Sequence, residues 1–290
     1  MFRSNWVRIP VIIAALLFGI AACSFAGNAT GLLVPKRSLT HQLNLLPDHI
    51  DVRLPESADG PVPAVIMFHG CGGLRQVQED YAADVLAAGY AVMIVDSNGA
   101  RGIGRFGAMT QVCTALRLWG QDRAADVATA LANARSIPGI DAERLALIGW
   151  SHGGWTLLDA LGYSGSGAQP RALSDASITL PGQVSLVVLM YPYCGYPVRT
   201  DGSDIDHRVE VRAILAENDV IAPPNACQRV LETGRSAGAS IEYETWPGQT
   251  HAFDEPNAPP FDPRIVYDAE AAARARADVV SWLDIAFAQG

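Results

Sequence analysis

Ser151 carries the clearest chemical signal in this chain, because glycines surround it in the Gly-Trp-Ser-His-Gly-Gly motif of residues 149–154. The apolar run 144–148 comes before the motif and residues 155–158 follow it, a pattern that predicts a strand, a sharp turn and a helix. Glycine tolerates the backbone of such a turn, which exposes the serine oxygen at the end of the strand. We therefore predict that Ser151 is a nucleophile. The alternative is an incidental serine in a glycine-rich turn.

A serine hydroxyl is a weak nucleophile unless a base removes its proton, and the chain has six histidines that could do so. His251 lies in a loop directly after the alternating, strand-like run 240–245, and it follows the serine in the chain. His207 lies in a polar stretch typical of a solvated loop, His152 is part of the turn itself, and the other three precede Ser151. His251 is the predicted base, against the alternative of a loop histidine with a structural role.

An acid that orients the imidazole is expected between the serine and the base, at the end of a strand. Asp219 fits because it closes the apolar segment 211–219, and a break at two prolines follows. Glu217 and Asp206 are the rivals. Asp219 is also a residue type that caps turns and helices, and this role is the alternative for it.

Two backbone N–H groups are needed to hold the negative charge that develops on a substrate carbonyl oxygen. The residue after the nucleophile, His152, supplies one by its position. The second is predicted from Cys71, in the glycine-rich loop that follows the apolar strand 63–68. The alternative for this loop is an ordinary connection between a strand and a helix.

These motifs, in this order, resemble the dienelactone hydrolase-like branch of the α/β-hydrolases from about residue 44 to the C-terminus. The segments that carry the resemblance are residues 69–74, 96–102, 149–154, 191–194, 217–219 and 250–253. The resemblance implies the α/β-hydrolase fold, with the histidine in the loop where His251 lies. The chain departs from dienelactone hydrolases proper, which have a cysteine nucleophile and a glutamate near the first loop, by having Ser151 and His69. The resemblance therefore implies the class of reaction, hydrolysis, rather than dienelactone as the substrate.

Strands alternate with helical stretches along the chain, which predicts a mostly parallel, doubly wound sheet without a large lid domain. A length of 290 residues with 49% hydrophobic content suffices for one large core. Two apolar helical stripes are predicted to face this core: Ala124, Val127, Ala128 and Leu131 in one helix, and Val266, Ala269, Ala273, Ala277, Val280, Leu283 and Phe287 in the last. The six predicted strands lie at residues 64–68, 91–95, 145–149, 184–190, 211–216 and 241–245.

The N-terminal segment is typical of an export signal, because Arg3 and Arg8 precede an apolar stretch and small residues follow. The uncharged stretch is shorter than the ~20 apolar residues of a spanning helix, which makes a retained span the weaker interpretation. Residues 20–23 resemble a bacterial lipobox that would leave Cys23 lipidated at the mature N-terminus. We expect residues 1–29 to be this signal and tether, with few contacts, and residues 30–290 to be the catalytic domain. A soluble periplasmic or secreted enzyme is the alternative to a periplasmic or outer-membrane lipoprotein.

Export changes how the other four cysteines are interpreted, because an oxidising compartment favours disulfides. Cys194 and Cys227 follow two strands expected to be neighbours, and Cys71 and Cys113 lie in loops above the first half of the sheet. We predict the bridges Cys71–Cys113 and Cys194–Cys227, against the alternative of buried thiols. No cysteine or histidine spacing is typical of a zinc site, so no metal is expected.

A net charge of −9, with Lys36-Arg37 as the only basic pair, argues against nucleic acid as a partner. Arg101 and Arg105 are the cations expected near the site, and Arg101 is predicted to bind substrate unless it bonds loop carbonyls instead. Trp150 and Tyr191 are the other predicted substrate contacts. No cofactor is expected, and the oligomeric state is left open.

The predicted function is hydrolysis of carboxylic esters or lactones by an exported serine hydrolase, through an acyl-enzyme on Ser151. A peptidase or polyester hydrolase of the same fold is one alternative. A cell-surface binding protein that has lost activity is the other, and the complete Ser-Asp-His set argues against it.

Overall fold

A single seven-stranded sheet forms the centre of the molecule, in a computed structural model that describes residues 5–56, 58–257 and 265–288. The strand order is β1-β3-β2-β4-β5-β6-β7. The pairs from β2 to β7 are parallel, and β1 runs antiparallel to β3. The strands are β1 (Ile50–Arg53), β2 (Val62–Phe68), β3 (Ala91–Val95), β4 (Ile140–Trp150), β5 (Val184–Met190), β6 (Glu210–Ala216) and β7 (Ile241–Trp246).

All six strands predicted from the sequence are confirmed, and β1 is the strand that the prediction missed. It has four residues, of which Ile50 alone is fully buried. An alternation this short does not stand out from loop sequence, and β1 is held by its pairing with β3.

Helices cover both faces of the sheet, which confirms the doubly wound α/β-hydrolase architecture. Residues of α2, α5, α6 and α7 pack into one core cluster or beside it, and residues of α3 and α8 pack into the cluster on the opposite face. No large extra domain is apparent within the described residues. The helices are α1 (Asn5–Ala29), α2 (Leu39–Leu45), α3 (Gln76–Ala87), α4 (Arg105–Gly107), α5 (Gly120–Ala134), α6 (His152–Ser166), α7 (Pro224–Ser236) and α8 (Ala269–Ala288).

The two predicted apolar stripes have different outcomes. The stripe in α5 is confirmed, since all four of its residues are buried. Of the last predicted stripe, Leu283 and Phe287 are buried and the rest is wrong: Val266, Ala269, Ala273 and Ala277 are exposed and Val280 is half-buried. Helix α8 faces the sheet with Ala271, Ala275 and Val279 instead. The first half of α8 carries alanine on several faces, so its periodicity does not specify which one is buried.

Helix α1 is apolar and largely exposed. Its segment Ile9–Ala29 has a mean hydropathy of 2.5 and is long and apolar enough to cross a membrane. A signal sequence near the N-terminus passes the same test. The charged start with Arg3 lies outside the described residues, and Cys23 is exposed with a free thiol.

The last turn of α1 packs against the domain, contrary to the expectation of few contacts up to residue 29. The ring of Phe25 lies 5.4 Å from that of Trp119. The side-chain amide of Asn28 is buried and donates to the carbonyl of Leu116 at 2.6 Å. The packed part of the chain therefore begins a few residues before the predicted boundary.

Candidate active site

Ser151 occupies a sharp turn between β4 and α6, with φ 51° and ψ −110°. This conformation is rare for a residue with a side chain and costs on the order of 1–3 kcal/mol, so the surrounding structure must impose it. The Ser151 N–H donates to the carbonyl of Met190 at 2.9 Å, and the Ser151 carbonyl accepts from the N–H of Tyr193 at 3.1 Å. Both bonds tie the turn to the end of β5.

The glycines of the motif allow this turn to pack against neighbouring backbone. A Cβ on Gly153 would lie 1.9 Å from the carbonyl oxygen of Phe68 at the end of β2. A Cβ on Gly149 would lie 2.5 Å from the carbonyl carbon of Gly153. Both distances are shorter than any van der Waals contact, so larger residues at these positions would displace the serine.

The structure brings Ser151, His251 and Asp219 together from the ends of three strands. His251 Nε2 lies 2.9 Å from Ser151 Oγ, and His251 Nδ1 lies 2.6 Å from Asp219 Oδ2. All three residues are buried. This hydrogen-bonded chain can pass the serine proton to the imidazole while the carboxylate holds the ring in one tautomer.

Asp219 also has the turn-capping role that was the alternative for it. Its Oδ1 accepts from the N–H groups of Ile221 and Ala222 at 2.9 and 2.7 Å, while Oδ2 faces His251. The cap fixes the direction of the carboxylate, so the two roles support each other. The rival acids lie elsewhere: Glu217 accepts from the N–H of Gly248, and Asp206 pairs with Arg208.

The two residues predicted to donate to the oxyanion belong to segments that adjoin Ser151. His152 is the first residue of α6, where the helix dipole also favours negative charge. The loop after β2 passes so close to Ser151 that a Cβ on Gly70 would lie 3.6 Å from the serine Cβ. Cys71 follows in this loop and lines the same cavity as Ser151.

A cavity of about 370 Å³ opens at Ser151 and His251, and its wall is mostly apolar. The disulfide Cys71–Cys113 forms part of the wall, and Arg75 and Glu255 are its charged residues. The apolar lining residues are Val77, Met109, Trp150, Tyr191, Ile221, Ala252 and Ile265.

Trp150 and Tyr191 both line the cavity, and their polar atoms are held by one buried carboxylate, Asp254. Tyr191 Oη donates to Asp254 at 2.5 Å, Tyr81 Oη at 2.9 Å and Trp150 Nε1 at 3.3 Å. Burial raises the pKa of Asp254, while the three donors stabilise its charged form. The ring of Tyr191 stands edge-on to His251 with centroids 4.9 Å apart. These residues therefore present ring surface to the cavity and keep their polar atoms inside the protein.

The prediction that Arg101 binds substrate is wrong. Its guanidinium forms two hydrogen bonds with Asp126, at 2.9 and 2.8 Å, and a third with the carbonyl of Ser97 at 2.9 Å. Asp126 is fully buried on α5, and a buried carboxylate requires a partner of this kind. Arg101 does not belong to the lining of the Ser151 cavity.

Arg75 and Glu255 are the charged residues at the cavity that the sequence reasoning missed. Burial lowers the pKa of Arg75, and the nearby Arg105 adds to this effect. Burial raises the pKa of Glu255, and Arg75 opposes that shift. The position of Arg75, two residues after the glycine-rich loop, was an available signal. The loop after His251 carries no motif that singles out Glu255.

Both predicted disulfides are present. The bridges Cys71–Cys113 and Cys194–Cys227 each have a Cα–Cα distance of 5.0 Å, which is within the normal range. The first bridge ties the glycine-rich loop, which carries the predicted oxyanion donor Cys71, to the segment after α4. The second ties the end of β5 to α7, next to the loop that carries Asp219. Among the described residues, no group of three or more His, Cys, Asp or Glu side chains is arranged to hold a metal ion.

Comparison with known proteins agrees with the fold. The model of the dienelactone hydrolase family matches residues 50–287, and the chain belongs to this family of hydrolases. The family is part of the α/β-hydrolase superfamily.

Solved structures share the fold at low sequence identity. A Klebsiella pneumoniae protein named as a dienelactone hydrolase is 19% identical with a TM-score of 0.63, covering 81% of this chain and 92% of the other. A dienelactone hydrolase-like promiscuous phosphotriesterase from metagenomic libraries is 18% identical, with a TM-score of 0.58 over 82% and 99% of the two chains. Esterase 2 of Thermogutta terrifontis is 14% identical, with a TM-score of 0.58 over 82% and 89%.

One curated protein is similar over part of its length. A Fusarium vanettenii protein named for a dipeptidyl-aminopeptidase B is 37% identical over 116 residues, which is 38% of this chain. This chain spans 12% of the length of that relative.

Proposed function

We propose that this protein is an exported serine hydrolase that cleaves carboxylic ester or lactone bonds through an acyl-enzyme on Ser151. The hydrogen-bonded chain from Ser151 through His251 to Asp219 is the observation that carries the proposal. Membership of a hydrolase family supports the reaction class.

The first half of the reaction forms the acyl-enzyme. Ser151 Oγ attacks the carbonyl carbon while His251 Nε2 takes its proton, and Asp219 stabilises the imidazolium. The carbonyl oxygen becomes an oxyanion, which the N–H groups of Cys71 and His152 hold. His251 then gives its proton to the leaving alcohol oxygen as the carbon–oxygen bond breaks, which leaves the acyl group on Ser151.

The second half returns the enzyme to its starting state. His251 takes a proton from water, whose oxygen attacks the acyl carbon, and the oxyanion forms again in the same place. Its collapse breaks the bond to Ser151 Oγ, which regains the proton from His251, and the acid leaves. The apolar cavity of about 370 Å³ suits a small or medium acyl group.

The proposal is tested by labelling and by a substrate panel. A fluorophosphonate probe should label the wild-type protein at Ser151, and Ser151→Ala should abolish both labelling and hydrolysis. Purified protein should hydrolyse short acyl esters or lactones. A folded wild-type protein that neither reacts with the probe nor hydrolyses any member of the panel would overturn the proposal.

A peptidase is the second candidate function, because of the local similarity to a protein named for a dipeptidyl-aminopeptidase. The two candidates differ in leaving group, since a peptidase must protonate an amine. Dipeptide amides in the same panel separate them. We expect hydrolysis of esters to exceed that of amides in kcat/KM, and the reverse order would favour the peptidase.

We also propose that residues 1–29 are an export signal with a tether and residues 30–290 the catalytic domain. The exposed apolar helix and the two disulfides support export. Cys23 is accessible for lipidation. Mass spectrometry of protein from the membrane fraction should find a diacylglyceryl group on Cys23. A mature N-terminus after residue 23 without lipid would favour the soluble secreted form.

A further inference from the structure

Arg123 is a fully buried cation that the reaction described above does not use. It lies in the second turn of α5 and is 1% exposed. Its guanidinium makes three contacts: Nε donates to Ser97 Oγ at 2.7 Å, Nη1 donates to the carbonyl oxygen of His69 at 2.6 Å, and Nη1 lies 3.3 Å from His152 Nδ1. Nη2 is buried and has no partner among the described residues.

Among the residues that the structure describes, Arg123 has no ion pair with a carboxylate, the partner that a buried guanidinium normally has. Asp126, on the same helix, gives both oxygens to Arg101. Asp122 accepts from the N–H of Trp119 and lies 3.6 Å from Arg171. Burial lowers the pKa of Arg123 to about 9, so the guanidinium remains charged at neutral pH. Burying a charge without a carboxylate partner lowers the stability of the folded protein, which points to a functional role for Arg123.

The contacts of Arg123 connect the two segments that carry the oxyanion donors. His69 is two residues before Cys71, and its carbonyl is fixed by Nη1. His152 is the other donor residue, and its ring nitrogen Nδ1 faces the same guanidinium nitrogen. Burial and the charge of Arg123 lower the pKa of His152, which keeps this ring neutral and able to accept a hydrogen bond. Ser97, after β3, holds the guanidinium from a third side.

We propose that Arg123 is a positioning residue for the oxyanion hole. It fixes the loop of Cys71 against the turn of His152 and keeps a positive charge beside the place where the oxyanion forms. The inference rests on the proposed function, since it needs an oxyanion on the substrate carbonyl. A preorganised charge in a dry site stabilises the transition state more than the ground state, so its loss lowers kcat more than it raises KM.

The experiment compares three variants with a matched control, using a short p-nitrophenyl ester. Arg123→Met removes the charge and the donors, and Arg123→Lys keeps the charge. Ser97→Ala removes one hydrogen bond to the guanidinium. The control is Ser164→Ala, which removes the two hydrogen bonds of another buried serine, one to Asp206 and one from the N–H of Leu180, in a separate network. Each variant is measured for Tm, kcat, KM and affinity for a trifluoromethyl ketone, which adds to the serine and forms an oxyanion.

We expect Arg123→Met to lower kcat about 10- to 100-fold with KM changed less than about 3-fold, less than the loss of a direct oxyanion donor. Affinity for the trifluoromethyl ketone should fall by the same factor as kcat/KM. Arg123→Lys should recover part of the loss. Ser97→Ala should lower kcat about 3- to 10-fold. Ser164→Ala should lower Tm at least as much as Ser97→Ala, because it removes two hydrogen bonds, and should leave kcat unchanged.

The outcomes separate this inference from the proposed function. If the wild type hydrolyses the ester but a folded Arg123→Met keeps kcat within 2-fold, the positioning role is overturned. A loss that resides in KM alone overturns it as well. Should Arg123→Met fail to fold, Ser97→Ala and Arg123→Lys decide, and wild-type kcat in both contradicts the inference. A wild type that reacts with neither ester nor fluorophosphonate contradicts the proposed function itself.

Discussion

Two buried ionisable residues, Arg123 and Asp254, support different parts of the candidate site. On the side of Ser151, called the serine side, Arg123 contacts the two segments that carry the predicted oxyanion donors. On the histidine side, Asp254 accepts hydrogen bonds from three aromatic side chains, one of which stands against His251. The serine side is braced mainly through backbone and histidine contacts, whereas the histidine side is braced through aromatic rings.

The charge of Arg123 has the sign that the proposed reaction requires on the serine side. Negative charge develops on the substrate oxygen near Arg123, and a fixed charge acts most strongly where water is excluded, as it is around this buried residue. On the histidine side, Asp219 is the carboxylate that bonds the imidazole, whereas Asp254 contacts His251 only through the ring of Tyr191. The comparison predicts that the serine side controls turnover and that the histidine side controls the shape of the cavity and stability.

Removal of the reacting residues should have the largest effect, because both sides depend on them. Ser151→Ala should reduce kcat by about 10⁴-fold or more, and Asp219→Asn by about 10⁴-fold. Neither change removes much apolar burial, so both proteins should fold with Tm near that of the wild type. Steady-state kinetics and thermal unfolding measure this. Residual activity above one hundredth of the wild type in Ser151→Ala would mean that another group is the nucleophile.

Ser151, His251 and Asp219 could be predicted from the sequence because each has a local sequence signal. Ser151 lies between glycines, and His251 and Asp219 follow strands that alternation or apolar runs reveal. The supporting residues have no such signal. Asp254 is recognisable only through Tyr81, Trp150 and Tyr191, which come from distant parts of the chain. Arg123 lies directly before an apolar stripe, and Arg101 was assigned to substrate because its partner Asp126 is known only from the packing of α5.

The two disulfides brace different parts of the site, so removing one bridge at a time tests the serine side and the histidine side separately. The closed loops differ little, with sequence separations of 42 and 33, and chain entropy gives each bridge about 4 kcal/mol. The pair Cys71→Ser and Cys113→Ser should therefore cost as much unfolding free energy as the pair Cys194→Ser and Cys227→Ser. The first pair should lower kcat more, because Cys71 carries an oxyanion donor.

Denaturant unfolding and ester kinetics on both double variants test this expectation. Titration of the denatured, unreduced mature protein should find no free thiol. Equal loss of kcat in the two variants at equal stability would contradict the special role of the serine side.

Asp254→Asn tests whether the histidine side controls the shape of the cavity and stability rather than turnover. The asparagine amide presents an N–H group to Tyr191, whose hydroxyl must turn to accept instead of donate, and the remaining bonds lose the charge of the carboxylate, at about 1–3 kcal/mol of unfolding free energy. Because Trp150 and Tyr191 line the cavity, KM should rise several-fold while kcat changes little. Tyr81→Phe is the control, since Tyr81 bonds Asp254 without lining the cavity. It should lower Tm without changing KM. A fall in kcat that exceeds the rise in KM for Asp254→Asn would show that both sides control turnover.

Arg101→Lys should have the smallest effect on activity. Arg101 is half-buried near Arg123, but its contacts are Asp126 and the carbonyl of Ser97, with none to His69 or His152. Lysine keeps the charge that Asp126 requires and loses the paired geometry of the guanidinium, so Tm should fall. We expect kcat and KM to remain within about 2-fold, because neither the oxyanion donors nor the cavity wall is touched. Kinetics with a neutral ester and with an ester that carries a carboxylate provide the check. A rise in KM for the charged ester alone would mean that Arg101 binds substrate after all, and would weaken the distinction between Arg101 and Arg123.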